Sequence, residues 1–272
     1  MGNWKISVAL AVGAGVIATS APAHAGAYSG FSTLDRPGDH SMVGLDLGLG
    51  FIDPAPFDDD QSLRIDLHGQ YLIDEGVGLY GMVPFSKLFV DAPLFDNSMA
   101  LGNLEGGAFY VVPAGDLDLV LRGGLALPTA DTNGSGILTN AVAHSVRITD
   151  VALAVPDTTW LRLAASPTVS SGDAFFRADV GLDVPLRTDV SADPLIRVNV
   201  GGGFDLDRLS LLAELAMLFE TDGGDDLISS AITARFHGRQ FEPGMSIIVP
   251  INDTLRDVID MGLVFSMQVR LD

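Results

Sequence analysis

No cysteine occurs in the 272 residues, so disulfides, thiol nucleophiles and thiolate metal sites are all excluded. Lysine is nearly absent too: Lys5 and Lys87 stand alone, and every other basic residue is an arginine. Acids outnumber bases 35 to 15, for a net charge of −20, which would repel phosphate backbones and excludes nucleic acid as a partner. Beyond residue 25 there is no run of about 20 apolar residues, so no transmembrane helix is encoded. Yet hydrophobic residues make up 47% of the chain and the mean hydropathy is +0.34. Apolar residues that are plentiful but dispersed in alternation are what a β-barrel facing lipid on its outside requires.

The N-terminus sets the compartment. Lys5 supplies a positive start, residues 6–17 are apolar, and Ala23-His24-Ala25 is a small-x-small cleavage site. This is the pattern of a secretory signal peptide over residues 1–25, cleaved after Ala25. Residues 26–41, rich in Gly and Ser, read as a periplasmic lead-in, and residues 42–272 as an outer-membrane barrel.

The longest alternation lies at the C-terminus, over residues 258–271. Ile259, Met261, Leu263, Phe265, Met267, Val269 and Leu271 occupy one face, and mostly small or polar residues the other. A barrel strand tilted across a bilayer needs about 9–11 residues, more than most soluble strands have. Asp260, Gly262, Phe265 and Met267 also resemble the spacing of an outer-membrane assembly signal, although Leu271-Asp272 stand where that signal has a final aromatic residue; the resemblance implies the barrel-assembly machinery as a partner during biogenesis. Similar alternating segments, bounded by turn residues, recur along the chain and total about twelve, an even number as bacterial barrels require. Their connections alternate between long and short. The tight turns fall at residues 74–76, 113–116, 170–173, 205–208 and 237–239, and the longest irregular stretch is 128–159. Short turns on the periplasmic side and longer loops outside are the barrel pattern. The fold expected is therefore an all-β, antiparallel, up-and-down transmembrane barrel. Residues 132–136 are expected as loop, and residues 146–155 as a possible extra strand rising above the membrane. Aromatic residues at strand ends, Tyr71, Trp160, Phe175, Phe204 and Phe236 among them, fit the interfacial girdles of a barrel and equally well the core residues at the strand ends of a sandwich.

Gly102-Asn103-Leu104-Glu105-Gly106-Gly107-Ala108-Phe109-Tyr110, followed by Leu125-Ala126-Leu127-Pro128-Thr129, resembles a pattern found in bacterial outer-membrane barrels of the aromatic-compound or "meta-pathway" transporter type. Ala130 stands where that pattern has glycine. The resemblance implies a porin-like transporter and carries no binding residues across.

The alternation also decides which charges face inward, because arginine at mid-depth on the lipid face costs about 2–4 kcal/mol. The inward cations are Arg64, Arg122, Arg162, Arg177, Arg197, Arg235 and Arg270, with His68 beside them. The inward acids are Asp46, Asp66, Glu105, Asp118, Asp179, Asp183, Glu214, Glu242 and Asp260. Two readings of this set stay open: a polar channel whose charges select solutes, or a lumen that arginine–carboxylate pairs fill and brace. Hairpin register, centred on each tight turn, is expected to place Arg162 opposite Asp183 and Arg235 opposite Glu242.

Other chemistry finds little support. A hydrolase needs a nucleophile beside a histidine, and His144-Ser145, adjacent on an expected strand, would point to opposite faces. The acidic runs at residues 58–60 and 222–226 lack the spacing of a calcium loop and read as solvated. No cofactor or metal is expected. The partners expected are outer-membrane lipid and small solutes, and the function a porin-like channel for their passive passage. The alternatives are a structural or adhesive barrel with a plugged lumen and a lipid-active outer-membrane enzyme.

Overall fold

The structure is a computed structural model that describes residues 40–52, 60–90, 99–114, 117–188 and 192–271. The expected signal peptide, nearly all of the lead-in, Asp58 and Asp59 of the acidic run and most of the 86–98 loop lie outside the described residues.

Period-two alternation produces the wall. The strands are β1 (Met42–Ile52), β2 (Asp60–Asp74), β3 (Val77–Phe89), β4 (Met99–Leu101), β5 (Glu105–Ala114), β6 (Leu117–Ala126) and β7 (Thr158–Ser171). They continue as β8 (Ala174–Thr188), β9 (Leu195–Leu206), β10 (Leu209–Glu220), β11 (Leu227–Phe236), β12 (Phe241–Pro250) and β13 (Met261–Arg270). Sequential neighbours pair antiparallel, and β1 pairs with β13, so no edge strand is left and the barrel is closed. β4 and β5 both pair with β3 and form one wall strand interrupted at residues 102–104, which makes twelve staves as expected. The interruption faces Pro84 of β3, which has no N–H to donate; Gly102 donates to the Pro84 carbonyl at 2.9 Å.

The barrel is inside-out relative to a soluble protein. Outward residues are large and apolar: Ile232 is 70% exposed, and Tyr71, Leu79, Leu211, Phe236 and Phe265 are also exposed. An apolar surface that encircles the molecule needs lipid against it. Lys87 is the outward cation of β3, paired with Met99, the first residue of β4, and it lies over the ring of Phe89 at 5.0 Å.

Inside, the sequence expectations need four corrections. Residues 146–155 are not a strand above the membrane. The chain between β6 and β7 turns into the barrel as α1 (Gly134–His144) and a 3₁₀ segment, Ser145–Leu153, nearly all of it buried. Residues 132–136, expected as loop, start that helix: Asn133 is its N-cap and accepts from the Gly136 amide at 2.7 Å. The C-terminal strand begins at Met261, three residues later than expected, because α2 (Asp253–Arg256) precedes it. Ile259 therefore packs in the interior instead of facing lipid, and Asp260 is exposed outside the strand. Trp160 and Phe175 turn inward and are buried, whereas Tyr71, Phe204 and Phe236 stay on the outer surface.

Candidate functional site

The interior has two parts. At the long-loop end the inward wall residues are apolar: Ile52, Leu88, Ala231, Ile248 and Val264 pack against Val146 and Ile148 of the inserted segment. Met82, Ala126, Trp160, Leu195 and Leu218 pack against Ala152 and Leu153. The wall is also thinned to admit the segment. A Cβ on Gly50 or Gly262 would come within 3.0 Å of a Val146 methyl. The inserted segment is thus a fitted plug, seated by burial of its apolar residues.

The interruption between β4 and β5 anchors one side of it. Freed from the ladder, the Asn103 amide donates to the Leu153 carbonyl at 2.7 Å. The Asn103 side chain donates to the carbonyls of Ala152 at 3.0 Å and Val155 at 2.7 Å, and accepts from the Ala130 amide at 2.9 Å. Thr129 Oγ1 donates to the Gly102 carbonyl at 3.0 Å, and Asn140 Nδ2 donates to the Leu101 carbonyl at 2.9 Å. The Gly102-Asn103 and Pro128-Thr129 motifs are thereby the two sides of one joint.

Charge anchors the other side. The plug's Asp150 receives Arg64 Nη2 on Oδ2 at 2.9 Å and Arg162 Nη2 on Oδ1 at 3.1 Å, and its own neighbour Arg147 lies 2.9 Å away. Arg147 also approaches Asp46 at 3.8 Å, and His68 lies 3.4 Å from the same carboxylate. Burial alone would raise the Asp150 pKa, but the guanidiniums of Arg147, Arg64 and Arg162 outweigh it and hold the carboxyl well below the usual carboxylate range. His144 on α1 behaves oppositely. Burial first, and the positive charge of Arg64 second, lower it from 6.5 to about 3, so its imidazole sits neutral in the lumen.

Below the plug the lumen is polar and crowded. The sequence-derived residues take these places. Arg64 is tied to Asp66 at 2.9 Å. Arg162 is opposite Asp183 in register, at 3.3 Å, and also binds Glu105; Arg197 reaches Asp183 at 3.0 Å. Arg177 pairs with Asp179 at 3.1 Å. Glu214 accepts from Thr233 Oγ1 at 3.1 Å. Arg122 lies over the rings of Tyr80 and Phe109, at 5.1 and 5.3 Å. Asp118 shares a face with buried Thr168 but sits exposed at the rim, and Asp260 is exposed just ahead of β13. The expected Arg235–Glu242 register is off by two. Arg235 pairs with Gly244, because the turn spends four residues, 237–240, outside the strands. A shift of two keeps both side chains inward; Arg235 Nη1 donates to the Glu242 carbonyl at 3.0 Å, and the Glu242 carboxylate instead takes Arg270 at 2.6 Å. Beside Asp150 and Arg162 lies a cavity of about 30 Å³, room for roughly two waters.

One cluster escaped the sequence reading. At the short-turn end, Ser210 Oγ lies 2.5 Å from His237 Nε2 and donates to Asp205 at 3.1 Å, with Glu242 3.6 Å from His237 Nδ1. Ser210 and His237 are 27 positions apart and meet because β10 and β11 pair. Ser210 is wholly buried, so no substrate carbonyl reaches its oxygen in this arrangement.

No protein-family model matches the chain, and no curated protein matches it in sequence. Solved structures do match in fold. An outer-membrane channel from Pseudomonas putida F1 superposes with a TM-score of 0.63 at 13% identity, over 88% of this chain and all of that one. The KdgM porin superposes with a TM-score of 0.51 at 12% identity, over 85% of this chain and all of that one. The NanC porin gives a TM-score of 0.51 at 9% identity, over 84% and 99%. The chain thus has the fold of outer-membrane β-barrel channels.

Proposed function

We propose that the protein is an outer-membrane channel for passive passage of small solutes, closed in this structure by its inserted segment and lined by selecting charges. The observation that carries this reading is the closed barrel with an apolar exterior and a charge-lined interior, the fold shared with solved channels. Outer-membrane lipid is then its surroundings and small solutes its cargo. The selecting residues are Arg64, Asp66, His68, Arg122, Arg162, Arg177, Asp179, Asp183, Arg197, Glu214, Arg235 and Glu242, with Asp118 at the mouth. Within this class, the resemblance around Gly102–Tyr110 favours the aromatic-compound transporter type, and Arg122 flanked by Tyr80 and Phe109 offers a cation and two rings to such a solute. The short turns face the periplasm, so cysteine placed at the exposed Asn133 reacts with an impermeant thiol label on intact cells, while one at Gly172 does not.

The plug favours one competing reading, a permanently sealed structural barrel. Planar-bilayer recording decides between the two. The channel reading expects discrete conductance steps from the purified barrel; none under any voltage, from wild type or from plug-loosened variants, supports the sealed barrel.

A further inference from the structure

Two arginines of the wall converge on one carboxylate from strands far apart in the ring. Arg64 on β2 and Arg162 on β7 each give an Nη2 group to a different oxygen of Asp150, at 2.9 and 3.1 Å. Wall carboxylates pin each of them, and the plug adds one backbone carbonyl apiece: Arg64 Nη1 donates to the Arg147 carbonyl at 3.5 Å and Arg162 Nη2 to the Thr149 carbonyl at 2.9 Å. Arg64 Nε is held by Asp66 at 2.9 Å, and Arg162 Nε by Asp183 at 3.3 Å, with Glu105 on its Nη1. Both guanidiniums are buried, so neither head group is free to swing toward water. Planar guanidiniums pinned by wall carboxylates through their other nitrogens leave the two Nη2 groups as a preformed carboxylate receptor. Asp150, by contrast, belongs to the removable part.

We infer that Arg64 and Arg162 form a carboxylate-binding site of the lumen, that Asp150 of the plug occupies it as an internal stand-in, and that the solutes taken up when the plug withdraws are small carboxylates. This rests on the channel reading for its transport half only. Recognition here is by geometry and not by field. Asp66 beside Arg64, and Glu105 and Asp183 beside Arg162, offset the two arginines' charge, so a bare anion gains little from long-range attraction. A carboxylate, with two oxygens that each meet one Nη2, satisfies the site; a spherical chloride does not. The same competition makes the solute a key to the plug, because whatever takes the arginines displaces Asp150.

Chemical rescue tests the site in the full-length protein. Asp150→Ala removes a group the size of formate. In detergent the variant is expected to unfold at a lower temperature than wild type. Sodium formate should raise that temperature saturably, by at least about 2 °C, while sodium chloride at equal ionic strength should not. Wild type and Asp150→Asn, whose sites are filled, should not respond. Should Asp150→Ala fail to assemble in chloride, refolding yield becomes the readout, and a several-fold higher yield in formate is expected. Equal behaviour in the two salts, or a formate response that survives adding Arg162→Met, overturns the site. The solute half is read in bilayers, where wild type should open more often in propionate than in chloride at equal ionic strength; equal opening overturns it. Formate rescue needs no current. Rescue without conductance would leave the site standing and remove the channel reading, and conductance without rescue would do the reverse.

Discussion

The wall and the plug obey opposite rules. In the wall, every second side chain faces lipid, so burial alternates along β10 and β12 with a period of two. In the plug, Ser145–Leu153 is enclosed on all sides and almost every residue is buried regardless of type, arginine and aspartate included. The wall's stability comes from a backbone ladder and a lipid-facing surface. The plug's comes from a fitted apolar contact, one asparagine joint and one charge cluster. The wall is thus held by one interaction repeated along the chain, the plug by a set of contacts each specific to its place.

Substitutions at matched positions sharpen that contrast. The largest effect is expected on the lipid face. Ile232→Arg places a cation on the most exposed apolar position and should cost about 2–4 kcal/mol, read as lost assembly into liposomes. Asn103→Ala comes next. It orphans the Ala130 amide and the carbonyls of Ala152 and Val155, at about 1–3 kcal/mol for a buried unpaired group. The expected outcome is a barrel that assembles normally but is cleaved by protease between residues 134 and 157 and opens more often; unchanged protease resistance would remove the joint from the account.

Acid should act on the plug through His144. Seated, His144 titrates near 3; released into water, near 6.5. Between those values the released plug binds a proton that the seated one does not, so seating is fully favourable above pH 6.5 and is lost as pH falls toward 3. The loss is at most about 1.4 kcal/mol per pH unit. Open probability should therefore rise below pH 6, by at most about tenfold per unit, and His144→Gln should flatten the profile. The smallest effect is expected for Glu214→Gln. It keeps an acceptor for Thr233 in the polar lower lumen, and should shift stability by less than about 1 kcal/mol while moving the reversal potential toward anions.

The same contrast explains which features could be read from the sequence. Alternation reports facing directly, so the twelve staves, the long-and-short connections and the inward arginines were all visible in it. Arg162 opposite Asp183 followed from a two-residue turn at Gly172-Asp173, while the four-residue turn at 237–240 moved the Arg235 register by two, which local pattern does not disclose. Val146, Ile148 and Leu153 also alternate loosely with polar residues, so they mimic a strand. Only the presence of glycines on facing strands, Gly50 and Gly262, reveals that something must fill the space. The length of the 128–159 stretch was itself a signal, since loops that long in a compact fold are usually functional. Ser210 and His237 shared no sequence signal, because cross-strand pairing alone brings them together.

The central claim is that current passes only when the plug leaves the lumen. The chain's lack of cysteine gives a direct test. A Cβ at residue 262 would lie 3.0 Å from the Val146 Cγ1 position, close to the spacing a disulfide requires. The double variant Val146→Cys/Gly262→Cys should therefore lock the plug to β13 when oxidised. In planar bilayers the oxidised barrel is expected to pass no current, and reductant added to the same bilayer should restore wild-type conductance steps. Equal steps before and after reduction, with the disulfide confirmed by mass, would contradict the account.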